Sequence, residues 1–304
     1  MASVAIEWRT VKAAKRHNPQ NPISAAFMAI EQAIEFSDFH QLTSVEDADV
    51  VFVFGSITPR KMDVERAIAI QALRDQGKHI FSIDSGLFGT YMRMKMNTNE
   101  NMFFRIGYKD CTGEGDLLMK DMPRTRLDWM TQEFNFEVKE PKENTPGILF
   151  IGQSEKGWQY DLTEPYEEWA LKQLLEIRRQ TEEPIIFRVH PTDVSNVRQV
   201  VGAVRNVHVT AGSRSRVGII EDLQKVGTVV THSSSAALEA LVEGCKVVAL
   251  SDRCVVQDAC CHFFEEKMRW KHTAQRLKDY AYTTWHVQEL TNPKLLEYYL
   301  SFIK

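Results

Sequence analysis

The sequence of 304 residues has no run of about 18 apolar residues, so no transmembrane helix is predicted. Its first residues lack the charged-then-apolar layout of a secretory signal, and we expect a cytoplasmic protein without membrane insertion. Glycine-rich fingerprints of the dinucleotide and P-loop types are also absent, which argues against nicotinamide chemistry and Walker-type ATP hydrolysis. The net charge of −4 gives no overall positive field, so contact with nucleic acid requires a local basic patch.

Cysteine is scarce as well, with five residues in all. An odd number of cysteines in a chain of this length fits reduced thiols better than a disulfide framework. Cys254, Cys260, Cys261 and His262 lie close in sequence, but their spacing is not that of a C-x2-C zinc motif. We therefore predict no metal site.

What the sequence does contain is a succession of short β-branched runs that alternate with amphipathic stretches, the pattern of an α/β fold with parallel sheets. Two domains suit the length. A polar segment with two prolines at 136–147 is interpreted as the linker between them. The predicted strands are 49–55, 79–84, 102–107, 148–151, 185–189, 207–209, 228–231 and 246–250, and the predicted helices are 22–36, 63–76, 164–180, 194–204, 217–226 and 234–243, with a helical tail from about residue 263 whose last helix begins at Pro293.

Two parallel sheets joined in this way are expected to turn their carboxyl ends toward a shared cleft, where ligands of α/β proteins bind. The most informative strand end carries Ser233, Ser234 and Ser235, which follow an apolar strand and precede a helix. Free backbone N–H groups and hydroxyls at such a turn suit a phosphate. A helix cap alone explains one serine but not three.

A second strand ends in His190 and Pro191. A histidine here can donate a hydrogen bond to a phosphate, act as an acid toward a leaving group, or simply be satisfied by a carbonyl. Arg188, one residue earlier in the strand, is either a ligand contact or an ion-pairing residue. The turn that contains Gly152 and Gln153 follows a third strand and is a further candidate phosphate or acceptor contact.

Glu239 lies in the helix after the serines and either accepts from ribose hydroxyls or is an exposed helical carboxylate. This helix continues Ala-Leu-Glu-Ala-Leu and is followed by a glycine and Lys-Val-Val-Ala-Leu. With the His-Pro and Ser-Ser strand ends, it resembles the donor half of GT-B glycosyltransferases, and is most similar to capsule, sialyl and Kdo transferases. Together with segments 104–107, 113–116 and 282–285, the chain also resembles phage-encoded glycosyltransferases that modify hydroxymethylated DNA bases.

The resemblance implies two Rossmann-like domains that face a cleft: an acceptor domain at 1–145, a donor domain at 146–285, and a C-terminal helix at 286–304 that packs back on the first domain. It also implies a nucleotide-sugar donor, UDP- or CMP-linked, with no metal strictly required. By the same resemblance His190 contacts the donor phosphate and assists departure of the nucleotide, while Ser233 and Ser234, with Ser235, bind that phosphate.

The base that deprotonates the acceptor is less well defined, because the family's acidic-acidic-Gly motif is replaced here by Gly-Glu-Gly-Asp. Asp84, at the end of a strand, and Glu114 are ranked equally, followed by Asp116. Each of the three can also be a turn-forming carboxylate.

The resemblance to the phage-encoded enzymes implies, as the preferred acceptor, a 5-hydroxymethylpyrimidine in double-stranded phage DNA. Basic residues Arg9, Lys12, Lys15, Arg16 and His17, and the segment 91–96 with its cations and aromatic ring, can grip DNA phosphates while a base is extruded. The alternatives are a capsule or surface-glycan glycosyltransferase, a sugar-nucleotide epimerase, and a nucleotide-binding module without catalysis.

Overall fold

The computed structural model describes residues 2–7, 17–55, 64–96, 102–154, 164–193, 195–210 and 217–303. The chain divides into two compact units. Unit 1 comprises Met1–Leu127 and Lys278–Lys304, and unit 2 comprises Asp128–Leu277. The predicted α/β class with two sheet-based units is confirmed.

Unit 1 is built on a six-stranded sheet in the order β11-β5-β4-β3-β1-β2. Its strands are β1 (Ala2–Ile6), β2 (His40–Leu42), β3 (Val50–Phe54), β4 (His79–Ser85), β5 (Phe103–Tyr108) and β11 (Thr284–His286), and its helices are α1 (Pro22–Glu35), α2 (Val64–Asp75), α3 (Gly89–Met96) and α10 (Pro293–Leu300). Helices α4 (Thr125–Phe134) and α9 (Trp270–Ala281) cross the division between the units.

This sheet departs from the predicted all-parallel arrangement in one strand. Strands β2, β1, β3 and β4 are parallel, but β5 runs antiparallel to β4 and β11 runs antiparallel to β5. The chain leaves β4 and returns to the same end of it, where the Gly86 N–H donates to the Phe103 carbonyl at 2.7 Å. A Cβ at Gly86 would lie 2.8 Å from the Thr284 side chain and 3.0 Å from the backbone of Phe103, so this close return requires glycine.

Helices cover the two faces of the unit 1 sheet, because successive residues of a strand point to opposite sides. In β3, Val50 and Phe52 belong to the core cluster that contains α1 and α10. The alternate residues Val51 and Val53 belong to a second cluster with residues of α2. Helix α1 begins at Pro22 as predicted, and the Asn21 side chain accepts from the Ser24 N–H at 3.1 Å.

Unit 2 is built on a five-stranded sheet, entirely parallel, in the order β10-β9-β6-β7-β8. Its strands are β6 (Ile148–Ile151), β7 (Ile185–Arg188), β8 (Val207–Thr210), β9 (Thr228–Thr231) and β10 (Lys246–Ala249), and its helices are α5 (Tyr166–Gln180), α6 (Val197–Gly202), α7 (Val217–Gln224) and α8 (Ala236–Val242). Its core stacks Phe150 on Phe187 with ring centroids 5.2 Å apart, beneath Trp169 and Leu174 of α5.

The units divide at Leu127 and Lys278, whereas the sequence places the boundaries at 145 and 285. The predicted linker is bound to unit 2, since the backbone N–H groups of Lys139 and Lys142 donate to the carbonyls of Val242 and Gly244 at 2.8 and 2.9 Å.

The chain after Lys278 belongs to unit 1 for a similar reason. The Arg126 guanidinium binds the carbonyls of Ala281 and Thr284 and both carboxylate oxygens of Glu289. The tail beyond residue 263, predicted to be helical, also contains strand β11. Its last helix begins at Pro293 as predicted.

Candidate functional site

The candidate site lies at the carboxyl edge of the unit 2 sheet, where register brings three strand ends together. Ile151 of β6 pairs with Arg188 of β7 on one side and with Thr231 of β9 on the other. Two residues beyond this row stand Gln153, His190 and Ser233. Neighbouring strands are about 5 Å apart, so the turns that carry His190 and Ser233 flank that of Gln153 within about 10 Å of each other.

The side chain of Gln153 binds backbone N–H groups of the serine turn. In the orientation of its amide that satisfies the donors, its side-chain oxygen accepts from the Ser234 N–H at 3.0 Å and the Ser233 N–H at 3.2 Å. The residue is 4% exposed. Two N–H groups that the sequence offers to a phosphate are therefore occupied by the protein.

The three serines are unequal in access. Ser233 is 1% exposed, Ser234 is partly exposed and Ser235 is exposed. The Ser234 Oγ accepts from the Ala236 N–H at 3.3 Å, which leaves its hydroxyl proton for donation. Ser235 is the N-cap of α8 but forms no capping hydrogen bond. The hydroxyls available to a ligand are thus those of Ser234 and Ser235.

His190 is partly exposed and is held by its own turn. Its Nδ1 lies 2.9 Å from the Thr192 Oγ1 and accepts from the Thr192 N–H at 3.2 Å. The Thr192 hydroxyl lies 3.3 Å from the Ser154 Oγ, beside Gln153. Burial holds the pKa of His190 below its usual value, and the nearby Asp193 offsets this only in part.

Acidification is expected to reveal this lowered pKa in the stability of the protein. The stability that the neutral imidazole contributes is present above the unfolded pKa of about 6.5 and is lost as the pH falls toward the lower folded pKa. The difference in unfolding free energy between wild type and His190→Gln should therefore shrink from about pH 7.5 to about pH 5. Urea titrations at each pH measure it. His208→Asn, at an exposed histidine of β8, serves as the control. A difference that stays constant over this interval for His190→Gln contradicts the expectation.

Gly152 is required by the approach of two oxygens. A Cβ at this position would lie 2.7 Å from the Tyr166 hydroxyl and 3.0 Å from the Arg188 carbonyl. The same hydroxyl accepts from the Gln153 N–H at 2.8 Å, so Tyr166 fixes the turn from below. Gly152 thus has a structural role, in addition to any contact with a ligand.

Gly152→Ala is accordingly expected to lower the free energy of unfolding by about 1–3 kcal/mol, the usual range for overpacking. The matched control is Gly202→Ala at the end of α6, where the nearest atom to the new Cβ is 3.7 Å away. Urea denaturation of both variants measures the effect. Equal stabilities for the two variants would show that the crowding at Gly152 is relieved at no cost.

Two other predicted donor-site residues are engaged within unit 2. The Arg188 guanidinium forms an ion pair with Asp222 and donates to the Gly218 carbonyl at 3.2 Å. Its side chain is 9% exposed, so the geometry matches the ion-pairing alternative. Glu239 is 5% exposed within α8, so it is not an exposed helical carboxylate.

Two of the three acidic candidates of unit 1, Asp84 and Asp116, are not brought to one place. Asp84 is 7% exposed and forms an ion pair of 3.0 Å with Arg105, directly opposite it on β5. Asp116 pairs with Tyr108, whose own partner on β4 is Phe81, about 10 Å along the strand from Asp84.

The three carboxylates also differ in their surroundings. Glu114 is exposed, and Asp116 accepts from the Leu118 N–H at 2.7 Å. Burial and the nearby Asp84 raise the pKa of the Cys111 thiol, whose sulfur lies 3.9 Å from that carboxylate. Asp84 therefore belongs to a closed ion-pair cluster, which is a poor setting for a base.

The two segments predicted to bind DNA give little support to a DNA acceptor. Residues 9–16 lie outside the described residues. In the segment 91–96, Tyr91 is 6% exposed and Met92 is 1% exposed, so the aromatic ring is part of the core of unit 1 and is not available to stack on a base.

Several residues of the site were not singled out from the sequence. Thr192 has a local signal, since it follows His-Pro in a turn closed by the Asp193 N–H on the His190 carbonyl at 3.0 Å. Tyr166 and Trp169 carry no such signal, because their places depend on the packing of α5. Trp169 contacts His232 edge to face, with ring centroids 5.3 Å apart.

Two cavities of the described residues lie at the amino ends of the strands of their own sheets, and neither is lined by Gln153, His190 or the serines. One, of about 790 Å³ in unit 1, is lined by residues that include His40, Asp49 and His79. The other, of about 570 Å³ in unit 2, is lined by residues that include Lys142 and Lys246.

The sequence matches no protein-family model and no curated protein. The structure, in contrast, matches solved structures of GT-B glycosyltransferases. One is Thermosulfurimonas dismutans KpsC, beta Kdo 2,7 transferase, which is 12% identical over 100% of both chains with a TM-score of 0.56. Another is Thermosulfurimonas dismutans KpsC, beta Kdo 2,4 transferase, which is 14% identical over 93% of this chain and 90% of that chain with a TM-score of 0.50. At these identities the likeness establishes the fold alone.

Among the described residues, none of the helices has both the length and the apolarity to cross a bilayer.

Proposed function

We propose that this protein is a glycosyltransferase that binds the phosphate of a nucleotide-sugar donor, UDP- or CMP-linked, at the carboxyl edge of unit 2. The observation that carries the proposal is the common register of the strand ends that bear Gln153, His190 and Ser233. In open α/β sheets this edge is the usual place for a ligand.

The available donors suit an anionic leaving group. The hydroxyls of Ser234 and Ser235 and the imidazole of His190 are at least partly exposed. Hydrogen bonds to a phosphate that gains charge as the glycosidic bond breaks lower the barrier to transfer. Arg188 and Glu239 are left out of this set because Arg188 is paired with Asp222 and Glu239 is buried.

The acceptor supplies a hydroxyl. The sequence favours a 5-hydroxymethylpyrimidine in DNA, and a capsule or surface glycan is the second acceptor class. Two observations favour the glycan. The fold neighbours are named as Kdo transferases, and the burial of Tyr91 removes one element of the proposed DNA-binding patch.

Titration calorimetry with CMP, UDP and their sugar conjugates tests the donor site. The double variant Ser234→Ala/Ser235→Ala should bind about 100-fold more weakly, since each hydrogen bond to a charged group contributes about tenfold in affinity. Ser301→Ala, at an exposed serine of unit 1, is the matched control. Unchanged affinity in the double variant contradicts the proposal.

Transfer of labelled sugar then separates the functions. Label in hydroxymethylated DNA identifies the first acceptor, and label in a glycan primer the second. Donor isomerisation without acceptor indicates an epimerase, and binding without turnover a non-catalytic module.

A further inference from the structure

The hydrogen bonds of His190 define where its proton lies. A backbone N–H can only donate, and the Thr192 N–H points at Nδ1 from 3.2 Å. Nδ1 must therefore present its lone pair. In a neutral imidazole the proton then resides on Nε2.

The turn that makes this hydrogen bond is itself constrained. Pro191 fixes the backbone after the histidine, and the Asp193 N–H closes the turn on the His190 carbonyl at 3.0 Å. The Thr192 hydroxyl, which can rotate, reaches both Nδ1 at 2.9 Å and the Ser154 Oγ at 3.3 Å. Side chain and backbone of Thr192 thus act on the same ring nitrogen.

The other ring nitrogen is available. Nε2 makes no hydrogen bond to any residue that the structure describes, and the side chain is partly exposed at the carboxyl edge of the sheet. Asp193 is the carboxylate that acts on the ring from its own turn, but burial of the imidazole outweighs its effect, so the neutral form is favoured.

We infer that His190 binds the donor phosphate as a neutral imidazole, donating a hydrogen bond from Nε2 without giving up a proton, and that Thr192 is the residue that positions it. This inference rests on the proposed function. Loss of the Nε2 proton from a neutral ring would leave an imidazolate anion, so an imidazole in this state is no general acid. The bond between the anomeric carbon and the phosphate oxygen breaks with its electron pair left on the phosphate, while the acceptor oxygen forms the new bond to the anomeric carbon. The acceptor proton goes to a base other than His190.

The tautomer is measured directly in the ligand-free protein by long-range proton–nitrogen correlation on ¹⁵N-labelled histidine at about pH 7.5, above the ordinary imidazole pKa. The expected result is a protonated Nε2 and a bare Nδ1 for His190. A protonated Nδ1, alone or in a charged ring, overturns the inference. His190→Asn assigns the signal, and His208→Asn is the control for an exposed histidine.

A matched pair of variants tests the role toward the ligand. Glutamine places an amide N–H near the position of Nε2, and asparagine places one near Nδ1. CMP and UDP should therefore bind His190→Gln at least about tenfold more tightly than His190→Asn, because one hydrogen bond to a charged group contributes about this factor in affinity. Equal losses in the two variants overturn the role of Nε2. If neither nucleotide binds wild type, the proposed function fails, whereas the tautomer measurement still decides the state of the ring.

Thr192 is tested by removal and partial restoration of its hydroxyl. Thr192→Val should weaken nucleotide binding by about 3- to 10-fold and shift the His190 nitrogen signals, because a neutral hydrogen bond is lost beside the ring. Thr192→Ser should restore both. An unchanged spectrum and affinity in Thr192→Val would show that the hydroxyl does not position the imidazole.

Discussion

Arg105→Met is expected to lower the free energy of unfolding by about 3–5 kcal/mol, the usual cost of breaking a buried ion pair from one side. The side chains of Arg105 and Asp84 are 5% and 10% exposed, so the substitution leaves a carboxylate without its counter-ion in the interior of unit 1. The guanidinium also donates to the carbonyl of Cys111 at 2.9 Å. Urea denaturation measures the loss.

The double variant Arg105→Met/Asp84→Leu is the matched control, since it removes both charges and should recover much of the lost stability. Asp84→Asn separates the two interpretations of this carboxylate. A base would lose activity with the fold unchanged, whereas an ion-pair partner loses stability. A stable, inactive Asp84→Asn would contradict the assignment of Asp84 to the ion pair.

Arg188→Met in unit 2 is expected to cost about 3 kcal/mol, the lower end of the range for a buried pair. The Asp222 side chain is 12% exposed, and the exposed Lys225 still approaches it at 3.5 Å, which moderates the effect. Because Arg188 lies two residues before His190, nucleotide binding by the variant should also weaken at urea concentrations below its unfolding transition. Chemical denaturation with and without CMP measures both.

Arg205→Met is the surface control for these two predictions. Its pair with Glu182 is 74% exposed on both sides, and such pairs contribute at most about 1 kcal/mol. If Arg188→Met is no more destabilising than Arg205→Met, the Arg188–Asp222 pair does not stabilise unit 2.

Much of the fold could be predicted because its signals are local. Pro22 and Pro293 mark the first residues of helices, and the β-branched run 228–231 coincides with β9. Strand direction is not encoded in such runs, so the antiparallel β5 was predicted as parallel. Strand β11 has three residues, too few for a pattern, and pairs with a strand about 180 residues earlier in the chain.

The candidate site was predictable only in part. The expectation that His190 and the serines meet follows from the common edge of parallel strands, and the register places the strand ends that carry them at that edge, on either side of β6. The burial of Ser233 and the pairing of Asp84 with Arg105 depend on which residues face each other across strands, which the sequence does not show. The polar composition of 136–147 predicted a linker, but backbone hydrogen bonds from Lys139 attach this segment to unit 2.

Titration of ¹⁵N-labelled protein with CMP- and UDP-linked sugars, followed by amide proton–nitrogen spectra, locates the donor site directly. If the carboxyl edge of unit 2 holds the donor phosphate, the largest shifts will occur at the amides of Thr192, Ser234 and Ser235. Shifts confined to unit 1, or to the amino ends of the unit 2 strands, would contradict it, as would spectra that do not change at saturating donor.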